Sequence, residues 1–307
     1  MGFRIARYRT ITSAAIALGL AACRSPLPPA TPHTRAEPQL THLPPVRACW
    51  LESAQALGNT VGSLVVRHPS GNVVIDVGNS MHFVDEIRAY PLGAWFWYRI
   101  VPGLLLPTRP LSTVLRENGV DPARTLVILT HVHFDHSGGM MDMPDVPVLV
   151  GREEIPLVED ARHVRRFEVL PAHADRLAPL LQPVPFEHAG YETFDERHDL
   201  FGDGSIVIVP LRGHTPGSVG VFVNISPQQR LFLVGDAVHD SAGYLDRVDK
   251  PWLTAITDSD PEAARYGVAR IHQFHEMAPR VEILPAHARD SWMHVFGAPG
   301  RCIGSNG

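Results

Sequence analysis

The chain has 307 residues, 45% of them hydrophobic, enough to bury one large core or two modest ones. A formal net charge of -5 and the lack of any basic block exclude an electrostatic nucleic-acid binder. Lys250 is the single lysine, all other basic residues being arginine, and reads as compositional bias.

Residues 1–22 read as a signal peptide. Arg4, Arg7 and Arg9 precede the apolar run from Ile11 to Ala22, which is too short for the roughly 20 residues that span a bilayer. The run ends in Leu20-Ala21-Ala22-Cys23, and this ending resembles the lipobox of bacterial lipoproteins. That resemblance implies cleavage before Cys23, lipid attachment there, and an exported protein held in the cell envelope, facing periplasm or exterior. Residues 23–45 follow as a proline-rich tether with too little apolar patterning to fold alone. Residues 46–307 then form the single folded domain. Export permits a disulfide between Cys49 and Cys302, but their positions at opposite ends of the domain do not say whether they meet.

Within the domain, residues 46–52, 59–69 and 73–78 read as strands, with Asp76 near the end of the third. Residues 89–107 carry four consecutive aromatics from Trp95 to Tyr98, a core segment, a lid or a membrane-dipping loop. Residues 111–119 have helical spacing and a glycine stop, and 124–130 are a short continuous apolar run expected to be a strand buried on both faces. A strand at 146–151 precedes an expected helix over 152–167. Residues 199–211 read as a hairpin turning at Asp203-Gly204, and 218–225 pairs with 230–236 across Pro227. A helix over 260–277 has Asp260 as its N-cap, and 281–287 is the last strand. Interleaved strands and helices with long antiparallel runs predict a layered α/β sandwich built on two sheets.

The chemistry is concentrated at strand ends. His131, His133, Asp135 and His136 directly follow the 124–130 strand, and His214, Asp236 and His287 each follow another strand. Such loops are where open α/β sheets place ligand sites. Five imidazoles and two carboxylates exceed the needs of one tetrahedral zinc and suit two adjacent metals. Zinc fits this donor set best, with manganese, iron or cobalt also compatible.

This order of motifs resembles the metallo-β-lactamase superfamily, and implies its αββα sandwich. By the resemblance, His131, His133 and His214 hold one metal, Asp135, His136 and His287 hold the second, and Asp236 bridges. Asp76 resembles a structural aspartate that steadies the cluster. The family's chemistry implies hydrolysis of a lactone, ester or related carbonyl or phosphoryl bond by a metal-bridging hydroxide, with Asp135 orienting it and relaying a proton. The spacing of His214, Asp236 and His287 resembles N-acyl homoserine lactonases and methyl-parathion-hydrolase-like enzymes. His239 stands where those lactonases usually carry a tyrosine. β-Lactamase or phosphotriesterase activity in the same site are alternatives, and a mononuclear iron sulfur dioxygenase is the rival from another class. Trp95, Trp97 and His239 are the candidate substrate contacts, for a small molecule with an apolar body. His163, His173, His188 and His198 are spare imidazoles.

Overall fold

The computed structural model describes residues 25–27, 33–56, 59–86, 105–107, 109–160 and 169–305. Cys23, the aromatic run with Trp95 and Trp97, and His163 lie outside the described residues.

The first sheet contains β1 (Arg47–Ala56), β2 (Asn59–His68), β3 (Gly71–Ile75), β4 (Leu105–Pro107), β5 (Thr125–Ile128), β6 (Val148–Val150) and β7 (Leu181–Pro183). The second contains β8 (His198–Asp199), β9 (Ile206–Pro210), β10 (Val219–Ser226), β11 (Gln229–Gly235) and β12 (Val281–Pro285). A last strand, β13 (Cys302–Gly304), returns to the first sheet. The strand orders are β13-β1-β2-β3-β5-β6-β7, with β4 on β1, and β12-β11-β10-β9-β8. β5 runs parallel to both β3 and β6, which explains its unbroken apolar sequence.

Alternation along the strands sorts the core into three layers. Leu64 and Val66 of β2 and Val73 and Ile75 of β3 meet Ile206, Ile208 and Val221 between the two sheets. The opposite face of the first sheet, with Val65 and Val74, packs on Leu111 and Leu115 of the helix Leu111–Glu117 and on Leu177. The outer face of the second sheet, with Phe222 and Phe232, packs on Val268, Ile271 and Phe274 of the helix Pro261–Met277. Period-2 strands give each sheet two buried faces, and the helices cover the outer ones. The result is the expected αββα sandwich.

Asp260 caps the helix Pro261–Met277 by accepting from the backbone N–H of Glu262 and Ala263. β10 and β11 pair across Pro227, with Ser226 opposite Gln229. The expected tight turn at Asp203-Gly204 is instead a wider loop between β8 and β9, anchored by Asp199, which accepts from Gly202 N at 3.0 Å and Gly204 N at 2.8 Å. Of the expected helix over 152–167, a tight turn at Arg152–Glu154 leads into helix Ile155–Glu159, and 161–167 lie outside the described residues.

Three features were not legible as placed. Cys49 and Cys302 form a disulfide that joins β1 to β13. The helix Arg289–Phe296 follows the last expected strand and sends Trp292 and Phe296 into the layer between the sheets. The described residues of the proline-rich segment lie against the domain. Ala36 exchanges backbone hydrogen bonds with Glu192 at 2.7 and 2.8 Å, and Ser25 and Leu27 bond Asp249 and Arg247 at 3.1 Å each. Glu192 is fully buried and needs cations; Arg35 supplies one at 2.6 Å and Arg230 another at 2.7 Å. A tertiary partner, not local patterning, docks this segment.

Candidate metal centre

All four expected loops open at one end of the sandwich. β5 ends at Ile128, and the chain runs through His131 and His133 into the short helix Phe134–Ser137, which carries Asp135 and His136. His214 follows β9, Asp236 follows Gly235 at the end of β11, and His287 follows Pro285 at the end of β12. Gly235 is required where it stands: its φ is 52°, and a Cβ there would lie 2.7 Å from Thr130 Oγ1. This contact brings the β11 exit against the β5 exit, and with it Asp236 against the histidines.

Donor atoms of three groups converge to within 4.8 Å of one another: His131, His133 and His214; His131, His136 and Asp236; and Asp135, His136 and His287. Asp236 lies between the clusters. Its Oδ1 is 3.2 Å from His136 Nε2 and 3.3 Å from His287 Nε2, while its Oδ2 is 3.6 Å from His214 Nε2. Asp135 Oδ2 lies 3.4 Å from His287 Nε2. The imidazoles are buried, whereas Asp135 and Asp236 remain partly open at 14% and 19%, so solvent reaches the cluster from the carboxylate side.

A shell of oxygens fixes the outer nitrogen of four rings. His136 Nδ1 donates to Asp76 Oδ2 at 3.0 Å, His214 Nδ1 to Asp258 Oδ1 at 2.8 Å, His287 Nδ1 to the Thr60 carbonyl at 3.2 Å, and His131 Nδ1 to Thr130 Oγ1 at 3.2 Å. Thr130 in turn donates to both Asp76 oxygens, from Oγ1 at 2.8 Å and from its backbone N–H at 2.7 Å. Each bond sets a tautomer whose Nε2 lone pair faces inward. Asp76 also sits at φ 54°, a conformation a non-glycine residue keeps only where its surroundings hold it.

His131 Nε2 and His133 Nε2 are buried without a hydrogen-bond partner, and Asp236 Oδ1 meets only imidazole nitrogens, His136 Nε2 at 3.2 Å and His287 Nε2 at 3.3 Å. Such orphans are costly unless a further ligand completes them. His133 Nδ1 and His214 Nε2 lie 3.0 Å apart, near the roughly 3.3 Å edge expected between two nitrogens on one tetrahedral zinc. The residues present therefore fit a pair of divalent cations.

The field agrees. Burial, reinforced by the neighbouring imidazoles or Lys250, holds His131 and His214 well below the ordinary imidazole value, and burial holds His133 at about 4. These rings are neutral, the form a metal needs. At His136 and His287 burial acts in the same sense, but Asp236 and the other carboxylates outweigh it and raise both. The carboxylates thus favour positive charge at the His136–His287 end. Asp236 itself, despite burial, is held well below the carboxylate range by His287 and His136.

Of the other expected residues, His239 lies beside the cluster, its ring 6.2 Å from that of His287. His173 is buried against Glu86 at 3.0 Å, His188 is exposed near Glu196, and His198 lies in β8. Sequence reasoning missed Glu154, Lys250 and Asp258. Glu154 is fully buried and accepts from Val132 N at 2.9 Å and Gly217 N at 2.7 Å, tying the His131–His133 loop to the His214 loop. Lys250, read as compositional bias, is buried beneath the cluster and donates to the Asp236 carbonyl at 2.8 Å and to Asp258. Burial raises Asp258 to about 6 although Lys250 pulls it down. The isolation of Lys250 among arginines was the only available signal.

Two face-to-face sheets with histidine and aspartate donors gathered at the strand ends define a metal-binding protein of the αββα class. Over residues 58–272 the sequence matches the metallo-beta-lactamase superfamily, and the chain belongs to that superfamily. His287 lies beyond the matched span. The N-acyl homoserine lactonase AttM of Azorhizobium caulinodans is 24% identical over 247 residues, covering 77% of this chain and 84% of the relative. N-acyl homoserine lactonase AiiA of Bacillus thuringiensis subsp. kurstaki is 21% identical over 224 residues, covering 73% and 79%. Among solved structures, an N-acyl homoserine lactone hydrolase with N-hexanoyl-L-homoserine bound at its catalytic metal centre superposes with a TM-score of 0.58 at 18% identity, covering 83% of this chain and 98% of that one. AidC, a dizinc quorum-quenching lactonase, gives 0.51 at 17% identity, covering 75% and 73%. These likenesses establish the shared fold.

Proposed function

We propose that this chain is a dinuclear metallo-hydrolase that opens a lactone or ester, with zinc as its metal. The carrying observation is the convergence of the donor atoms of His131, His136 and Asp236 to within 4.8 Å of one another, inside a shell that fixes four ring tautomers. His131, His133 and His214 would hold one ion, Asp135, His136 and His287 the other, with Asp236 reaching both. Two such cations supply a water activated near neutral pH and a polarised carbonyl or phosphoryl oxygen. Asp135, on the open side of the cluster, orients the attacking water and carries its proton to the leaving group. The buried imidazoles exclude bulk water from the other side. His239 stands near His287 as a contact for the substrate's polar head. The lactonase names of the relatives, one of them dizinc, support the lactone over a phosphotriester or β-lactam.

The N-terminal reading extends this proposal: residues 1–22 direct export, and Cys23 carries a lipid anchor. Among the described residues, no helix is long and apolar enough to cross a membrane.

Metal analysis of the purified protein, followed by a panel of acyl lactones, aryl esters, β-lactams and phosphotriesters, tests the function. Two equivalents of zinc and fastest turnover of an acyl lactone are expected, with His133→Ala losing metal and nearly all activity. One equivalent of iron, or full activity in His133→Ala, would overturn the proposal.

A further inference from the structure

Lys250 is the chain's only lysine, and it is buried rather than displayed. Its ammonium donates to the backbone carbonyl of Asp236 at 2.8 Å and to Asp258 Oδ1, and lies 3.5 Å from His214 Nδ1. Asp258 receives the His214 Nδ1–H at 2.8 Å on that same oxygen. One buried ion pair therefore touches two expected metal ligands from behind: the main chain of Asp236 and the ring of His214.

The fold holds both partners in place from outside. Asp260 N and Ser259 N donate to the carbonyls of Gly213 at 3.0 Å and His214 at 2.8 Å, fastening the segment that carries Asp258 to the His214 loop. On the other side, Ser25–Leu27 bond Arg247 and Asp249, and Arg265 donates to Asp249 Oδ1 at 3.0 Å and to the Pro26 carbonyl at 2.8 Å. Lys250 thus follows directly on a pinned segment. A lysine suits this position because its compact ammonium turns freely toward acceptors in different directions, where the planar guanidinium of arginine would not.

We propose that the buried Lys250–Asp258 pair positions His214, locking its ring with Nε2 directed into the first metal site and holding that ring against the end of β11. The pair acts through His214 and Asp236, so these are positioning residues. The inference rests on the metal reading above. If it holds, loss of the pair weakens the His131/His133/His214 site, the only one that His214 serves, more than the Asp135/His136/His287 site, which the pair touches only through Asp236. A purely structural ion pair would affect both sites alike, or neither.

The test is a cobalt(II) titration of the metal-free full chain, following ligand-field absorption and competition with a chromophoric chelator. Wild type is compared with Lys250→Met and with Lys250→Met/Asp258→Leu. The double variant removes both charges and replaces them with apolar side chains, a replacement that buried ion pairs commonly tolerate, so it serves if the single variant does not fold. A roughly 10- to 100-fold weakening of one of the two cobalt sites, with a clearly smaller effect on the other, is expected. Repeating the titration in a His136→Ala background, where the His131/His133/His214 group alone remains complete, should show the same loss. Unchanged affinity at both sites, or equal weakening of both, would overturn the inference while leaving the metal reading intact. Wild-type protein that binds no cobalt would overturn the metal reading and this inference with it.

Discussion

Replacing both Cys49 and Cys302 by alanine is expected to lower stability by up to about 5 kcal/mol. The disulfide closes a sequence separation of 253 residues, and in the chain-entropy account a loop of that length restricts the unfolded chain by roughly that amount. β13 also pairs with β1 at Arg47, Ala48 and Cys49, so the native edge keeps backbone bonds when the sulfurs are removed. The loss thus falls mainly on the unfolded side. For a fold of this size the unfolding entropy is about 0.5 kcal/mol per kelvin, which converts the figure to about 10 °C in melting temperature. Alanine is preferred to serine because Cys49 is only 1% exposed, and a hydroxyl there would be buried without a designed partner. Scanning calorimetry of oxidised wild type, wild type in reductant and the double variant, at matched metal content, measures the shift. Thiol titration of denatured, unreduced protein should find no more than one of the three cysteines reactive. A melting temperature unchanged within about 1 °C, or three reactive thiols before reduction, would refute the reasoning.

Glu154→Ala leaves the N–H groups of Val132 and Gly217 buried without their acceptor, which costs about 1–3 kcal/mol each. Denaturant unfolding should register a loss of about 2–6 kcal/mol, and a loss under 1 would contradict the bridging role. A second expectation concerns acid. Burial alone would raise Glu86, but its bond to His173 outweighs burial, with Ser80 adding to it, and the carboxyl is held below its ordinary value of 4.5. A lowered folded value means the stabilisation is complete above pH 4.5 and is lost as pH falls through the folded value. Glu86→Gln should therefore be less stable than wild type at neutral pH, with the gap closing below pH 4.5; a gap constant with pH would show that proton binding at Glu86 is not the cause.

Residues 124–136 carried most of the functional information in a readable form. A continuous apolar run specifies a strand buried on both faces, and donor residues placed directly after such strands announce a site, because parallel strands can only end in loops at a common edge. The same logic reached His214, Asp236 and His287, each marked by a glycine or proline at a strand exit. The interleaving of strands and helices, with long antiparallel runs, likewise pointed to the two-sheet architecture.

What the local pattern could not contain is pairing between distant segments. Lys250 and Asp258 carry no periodic signature, and only the approach of the Asp246–Asp260 stretch to the β9 and β11 exits turns them into a buried ion pair beneath His214. Glu154 looks like any acidic residue at the start of a helix until Val132 and Gly217 present their N–H groups to it. The disulfide, the docked Ser25–Leu27 segment and the orientation of each imidazole were settled in the same way. Most depend on a partner tens to hundreds of residues away, and burial in a low-dielectric interior makes that partner obligatory.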